Sequence, residues 1–249
     1  MREYYYNFLL MLQFMTRIPI NKSLPCEREN FKSGANFFWL IGLLIGGGQY
    51  LLYMLLIKIM PVSLTAIVII IFDILITGAL HIDGFGDTCD GFFAFKGGKD
   101  KIIEIMKDSR IGTFACISII LNILIKYQGY IILLQKKSPL LLILIPIISR
   151  FSITLLSLIG KPAKEKGSGN LFIDNVSVKE VLVNIIFAAA VGLALGLIYD
   201  TVILFITAVI ITFIFNYLCK CKINGVTGDS LGANNELVVL MSLMALSLT

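Results

Sequence analysis

A chain of 249 residues in which 57% are hydrophobic and only 15% are charged, with a mean hydropathy of +0.90, falls well short of the roughly 25% charged residues of soluble domains. The apolar residues come in blocks of about 20, the length that crosses a bilayer, which excludes a soluble globular enzyme, a disordered chain and a nucleic-acid binder with a basic groove. The net charge of +5 bears on membrane topology before it bears on any polyanionic partner.

The first apolar run, Tyr4 to Met15, has about the length of a signal peptide but no small-residue cleavage site, and Arg17-Ile18-Pro19 follows at once. Too short to cross comfortably, it is expected as an interfacial or re-entrant helix. Six segments then qualify as spans: Asn36–Ile57, Val62–Leu80, Thr113–Leu134, Leu140–Ile159, Val181–Tyr199 and Thr201–Leu218. A seventh, near Leu237–Leu248, is short. Pro61, Pro139 and Lys161-Pro162 fall at block edges, where proline ends helices. Asp200 alone separates two spans and implies a tight hairpin. The fold class is therefore all-α: a polytopic membrane helical bundle of about seven transmembrane helices, with residues 1–249 forming one integral membrane domain.

Lysine and arginine concentrate in cytoplasmic loops. Alternate loops here carry sixteen against three, with Lys126 and Arg150 left inside spans. This parity puts the N-terminus and the loops at about 81–112, 160–180 and 219–236 on the cytoplasmic side, with a site facing the cytosol. Five cysteines, an odd count without a regular framework, argue against disulfides, and Cys219-x-Cys221 lacks the partners of a zinc site. A single histidine excludes a His-rich metal centre.

The richest stretch is His81-Ile82-Asp83-Gly84-Phe85-Gly86-Asp87-Thr88-Cys89-Asp90-Gly91. If it is helical, Asp83, Asp87 and Asp90 line one face at i, i+4 and i+7. Three such carboxylates repel unless a cation lies between them, and an oxygen-only set suits Mg²⁺ or Mn²⁺. Mg²⁺ commonly shares its shell with substrate phosphates, which points to phosphoryl chemistry. The alternative is a solvated acidic helix end. Asp73, inside the preceding span, is either a ligand or a buried carboxylate paired with a lysine or a backbone group.

In Glu104-Ile105-Met106-Lys107-Asp108-Ser109-Arg110-Ile111-Gly112, Lys107 and Arg110 lie one helical turn apart and could clamp phosphate oxygens, with Asp108 adding a carboxylate or holding Arg110. Asn224 to Glu236, with Thr227, Asp229 and Ser230, offers donors for an anion at a helix N-terminus, or simply a turn capped by Asp229 or Ser230. Lys164 to Gly169 reads as a flexible linker or a phosphate-contacting turn. Arg150 is expected to face the bundle interior or a cavity.

These stretches carry a resemblance. His81 to Gly91 resembles the H-x-D-G-x-x-D-x-x-D-G signature of the cobalamin synthase (adenosylcobinamide-GDP ribazoletransferase) family. Glu104 to Gly112 is similar to that family's E-I-M-K-D-S-R-x-G, Val226 to Glu236 to its T-G-D-x-x-G-A-x-x-E-L, and Gln13 to Pro19 to its Q-F-x-T-R-x-P. Cys89 and Gly86 depart from the usual residues without touching the carboxylates. The resemblance implies a prokaryotic inner-membrane enzyme, surrounded by lipid and compatible with a homo-oligomer. It would join adenosylcobinamide-GDP to α-ribazole or its 5′-phosphate with release of GMP. It further implies that Asp83, Asp87 and Asp90 hold Mg²⁺, and that one of Asp87, Asp90 or Asp108 is the base. Lys107 and Arg110 would bind phosphate, and Arg17, Arg150, Thr227, Asp229 and Asn235 would line the substrate site. His81 would orient an aspartate, act as base, or be structural. Two rivals remain at this point. A CDP-alcohol phosphatidyltransferase would want Ala-Arg after the first Asp-Gly and a wider gap to a second aspartate pair, and an ion-coupled transporter would use Asp73, Lys126 and Arg150.

Overall fold

The computed structural model describes residues 2–93, 97–136, 138–164 and 167–248. Lys96, Lys137, Glu165 and Lys166, which entered the readings above, lie outside the described residues. Within the described residues the chain is helical, with one isolated β-bridge. In order come α1 (Arg2–Met15) and α2 (Arg28–Gly34), the latter running through a 3₁₀ turn into α3 (Phe38–Leu56). These are followed by α4 (Val62–Thr77), α5 (Leu80–Phe93), α6 (Lys99–Ile105), α7 (Thr113–Lys136) and α8 (Leu141–Ile159). A 3₁₀ turn at Ser168–Leu171 leads to α9 (Val178–Ala194), α10 (Ile198–Ile223) and α11 (Gly228–Leu248).

Among the described residues, five helical stretches are long and apolar enough to cross a membrane: Arg28–Leu56, α7, α8, α10 and α11. They become six if α4 and α5 are one bent span. The 17 residues of α9 rise about 26 Å, close to the thickness of a hydrocarbon core, and stand where the fifth span was expected. Helix α1, at 14 residues, rises only about 21 Å and packs on α2 and α3 instead. Helix α8 is buried along nearly its whole length and forms the centre, against α3, α9, α10 and α11. A Cβ on Gly42 or Gly46 would meet the α8 backbone at 2.6–2.7 Å, so this small-xxx-small pair lets the two helices touch. Outward, Leu51, Leu55, Leu75, Ile186 and Ile214 form an exposed apolar belt that calls for lipid rather than water. The protein is a multi-pass membrane protein.

Three boundaries differ from the sequence expectation. The hairpin before α10 turns at Leu195–Leu197, where Gly196 supplies φ 72°, and Asp200 lies inside α10. Helix α11 begins at Gly228 rather than near Leu237, because its polar first turns find partners inside the bundle, as with Asn234, which donates to Ser152 and Thr212. The connection before it shrinks from 219–236 to 224–227. The stretch 81–112 likewise contains α5 and α6 rather than an open loop.

The α4–α5 junction positions the site. Gly78 and Ala79 both take positive φ (61° and 60°), and the two helices meet at 89°. The end of α1 clamps this corner: Arg17 N–H donates to the Ile76 carbonyl at 2.7 Å, and the Arg17 side chain packs where a Gly78 Cβ would lie. Behind the corner, Lys126 donates to Glu236 at 2.7 Å and to Asp73 at 3.4 Å. Gln49 Nε2 donates to Asp73 and Asn122 Nδ2 to Glu236. Asp73 is thus the lysine-paired carboxylate of its two alternatives.

Candidate active site

Asp83 and Asp87 project from one face of α5, a turn apart, the first exposed and the second partly buried. Alongside runs the start of α11. A Cβ on Gly84 would stand 2.8 Å from the Asp229 carbonyl oxygen, and one on Gly232 would stand 3.2 Å from the His81 backbone. The two backbones therefore approach at contact distance, which only glycine allows, and this brings Asp229 beside Asp83. The first turn of α11 is capped by Thr227, whose Oγ1 accepts from Ser230 N–H at 3.2 Å. Asp229 and Ser230, the expected caps, are not used so. The Thr227 hydroxyl also lies 3.3 Å from Asp229 Oδ2.

The 224–227 connection is docked on the segment after α8. Val226 N–H donates to the Lys161 carbonyl at 2.7 Å, and Ala163 N–H to the Val226 carbonyl at 2.9 Å. This delivers Lys164 to Asp229. Burial lowers the ammonium's pKa, Asp229 opposes that, and Lys107 adds to it.

Lys107, Asp108 and Arg110 lie beyond the end of α6, so they are not one helical turn apart as expected. They are organised differently. Asp108 accepts from the Arg110 backbone N–H and Nε at 3.0 Å and from Nη2 at 2.6 Å. The Arg110 guanidinium and N–H hold the Asp108 carboxyl down at about 2, too acidic for a base near neutral pH. Asp90 is also engaged: buried, it accepts from Gly112 N–H at 2.7 Å and Ala115 N–H at 2.8 Å, capping α7 from another helix.

Three adjoining cavities surround the carboxylates. One of about 290 Å³ is bordered by Asp83, Asp87, Lys107 and Arg110. A second, also about 290 Å³, is bordered by Lys107, Lys164, Asn170 and Asp229. A third, about 110 Å³, is bordered by Asp83, Asp229 and His81 with an apolar wall that includes Phe14 and Phe172. Asp83 and Asp229 are the carboxylates that stand between the basic side and the apolar side.

Other sequence candidates lie elsewhere. Arg150 is buried in the bundle, donating to Ser149 Oγ, and Asn235 is buried with its amide on Glu236. Neither borders these cavities, and Arg17 serves the α4–α5 corner. Conversely Asn170, Phe14 and Phe172 reach the site without having been singled out for chemistry. Lys164 also reaches it, and of the two readings of its segment, flexible linker or phosphate-contacting turn, this position fits the second. Aromatic residues in an apolar chain carry no positional signal.

No three metal-ligating side chains converge on one point among the described residues. Asp83, Asp87 and Asp229 nevertheless lie within electrostatic reach of one another. A spread, oxygen-only set fits Mg²⁺, which keeps several waters and takes one or two carboxylates plus substrate phosphates.

A profile of the cobalamin-5-phosphate synthase family matches residues 7–247. An adenosylcobinamide-GDP ribazoletransferase of Clostridium tetani is 50% identical over 242 residues, 97% of this chain and 96% of its own. One of Clostridium kluyveri is 46% identical over 250 residues, covering 99% and 98%. A third, of Clostridium botulinum strain 657, is 46% identical over 240 residues, 96% of each chain. No solved structure matches the chain.

Proposed function

We propose that this chain, which belongs to the cobalamin-5-phosphate synthase family, joins adenosylcobinamide-GDP to α-ribazole or its 5′-phosphate and releases GMP. The observation that supports this at the site is the placement of Asp83 and Asp229, with Asp87 a turn along, between Lys107, Arg110 and Lys164 on one side and, for the first two, an apolar cavity on the other. A diphosphate needs the first, and a nucleoside acceptor needs the second.

In the transfer, a ribose hydroxyl of the acceptor attacks the phosphorus that bears the cobinamide oxygen. The bond from that phosphorus to the bridging oxygen breaks, GMP leaves with that oxygen, and the hydroxyl proton passes to a carboxylate. Lys107, Arg110 and Lys164 neutralise the phosphate oxygens, and Asp108 fixes the guanidinium so that its remaining N–H groups face the ligand. With Asp90 and Asp108 engaged elsewhere, Asp229, bordering both the acceptor side and the basic side, takes the proton. Asp83 and Asp87 would hold Mg²⁺, which when bound stabilises the charge that develops on the leaving phosphate. By the lysine and arginine bias, this end of the bundle faces the cytoplasm of a prokaryotic inner membrane.

The test is GMP release by purified protein in lipid from adenosylcobinamide-GDP and α-ribazole, titrated with Mg²⁺. Metal-dependent GMP matched by cobalamin is expected, and its absence in folded protein overturns the reading. Asp83→Asn and Asp87→Asn should lower turnover about 10²-fold or more and shift the Mg²⁺ requirement upward. Asp229→Asn should lower turnover at an unchanged Mg²⁺ requirement. If all three variants responded alike to Mg²⁺, the division of roles would be wrong.

A further inference from the structure

The carboxylates of the site are carried by two helices that meet through glycine. Gly84 and Gly232 set how closely α5 and α11 approach, but a contact without side chains does not stop one helix from sliding along the other. The apolar faces of α7 and α11 add little resistance, because acyl chains are as apolar as leucine and offer equivalent packing at any register. A slip of one turn is about 5.4 Å, enough to separate Asp229 from Asp83. The axial position of α11 therefore has to be fixed from inside the bundle.

The charged node behind the α4–α5 corner has the form of such a stop. Glu236 stands on α11 two turns beyond Asp229, and α7 grips it twice: Lys126 Nζ at 2.7 Å and Asn122 Nδ2 at 2.9 Å both donate to its Oε2. The same ammonium reaches Asp73 Oδ2 on α4 at 3.4 Å, and Gln49 of α3 donates to the other oxygen of that carboxylate at 3.1 Å. Lys126 is thus a cross-piece between α11 and the helix that ends at the corner from which α5 departs. The node is costly. Gln49 and Asn122 turn their N–H groups to the carboxylates, and their own oxygens, Oε1 and Oδ1, are buried without a hydrogen-bond partner among the described residues. Buried ion pairs gain little over apolar side chains of similar size, and their best-attested use is to fix the register of packed helices.

We propose that Lys126 is a positioning residue of the transfer. Held between Asp73 and Glu236, it fixes the axial register of α11 against α7 and the α4–α5 corner, and so the level at which Asp229 faces Asp83. It borders none of the three cavities and touches none of the reacting atoms. Its effect on turnover rests on the transfer reaction above, whereas the register is a property of the folded bundle.

The test removes the charges together. Asp73→Asn, Lys126→Met and Glu236→Gln are combined, so that no charge is left unpaired and side-chain volumes change little; this triple variant should fold as stably as the parent. Register is read by double electron–electron resonance between nitroxides at Leu121 and Met244, both exposed, on α7 and α11, in protein whose exposed Cys26, Cys116 and Cys221 are replaced by serine. Counted from the level of Lys126 and Glu236, these positions lie about 15–20 Å apart along the bundle, and a slip of two residues moves them by about 3 Å. In the triple variant the distance should shift or spread by about that much or more. Turnover should fall at least tenfold, with KM for adenosylcobinamide-GDP within about threefold of the parent. Lys126→Arg, which keeps a cation between the two carboxylates, should stay near the parent in distance and in turnover. A folded triple variant with the parent's turnover and distance overturns the assignment, and so does one that loses turnover at an unchanged distance. A triple variant that cannot fold makes the node a stability element and overturns it as well. No GMP from the natural pair with wild-type protein removes the reaction, and the nitroxide distance alone then decides whether Lys126 holds the register.

Discussion

Lys126 sits inside the bundle with its ammonium between Glu236 and Asp73, and the side chains of the lysine and Glu236 are only 3% and 4% exposed. A buried pair of this kind adds little compared with apolar packing, but removing one member leaves charge without compensation. Lys126→Met should therefore destabilise the folded protein by about 3 kcal/mol or more, measured by denaturation in detergent. A variant as stable as the parent would mean that the ion pair contributes nothing to the stability of the bundle. None of this pairing is visible in the chain itself, where Lys126 stands 53 residues from Asp73 and 110 from Glu236. The aspartates of α5 were legible because their spacing is local and matches a helical turn. The Asp108–Arg110 pair was legible because its members stand two residues apart, although they lie beyond α6 and not on a helical turn. Asp90 shows the limit of that logic: its spacing groups it with Asp83 and Asp87, but its partners, Gly112 and Ala115, come from a helix that only the tertiary fold brings near.

Between elements, the decisive contact is that of α5 with α11. Gly84 and Gly232 let the two backbones touch, and the distance between Asp83 and Asp229 follows from that approach. Gly84→Val places a branched side chain against the Asp229 backbone and must push the helices apart. Turnover should fall at least tenfold while the protein still inserts and folds, because misplacing catalytic groups by about 1 Å costs on the order of 10²-fold. Turnover within twofold of the parent would show that the carboxylates tolerate a looser spacing. Glycines within a motif signal that backbones come close, but which backbone comes close was not readable from Gly84. The α4–α5 corner was equally hidden. Hydropathy runs without interruption through Ile76, Thr77 and Gly78 to Leu80, and a left-handed pair of residues leaves no trace in it. The extension of α11 back to Gly228 escaped for the opposite reason, since its first turns are polar and only their burial makes them a membrane helix.

At the scale of the whole molecule, charge bias and helix order place the three chemistry-bearing segments at one end of the bundle, and the structure brings those segments together. Cys26, exposed in the segment before α2, reports on that arrangement. A membrane-impermeant maleimide should label it in inside-out vesicles and not in intact cells or right-side-out vesicles. Labelling only from outside would invert the topology and put the carboxylates on the wrong side for cytoplasmic nucleotides. The right-angled corner at Gly78 and Ala79 decides how deep each of those carboxylates lies. Along a helix that continued the direction of α4, Asp87 would sit about 6 Å and Asp90 about 10 Å from the level of Asp83, at 1.5 Å per residue. Each would then meet a different dielectric and a different cost of ionisation. With α4 along the membrane normal, the right angle instead lays α5 in the membrane plane, a row at a common depth in which Asp83 and Asp87 face the same dielectric.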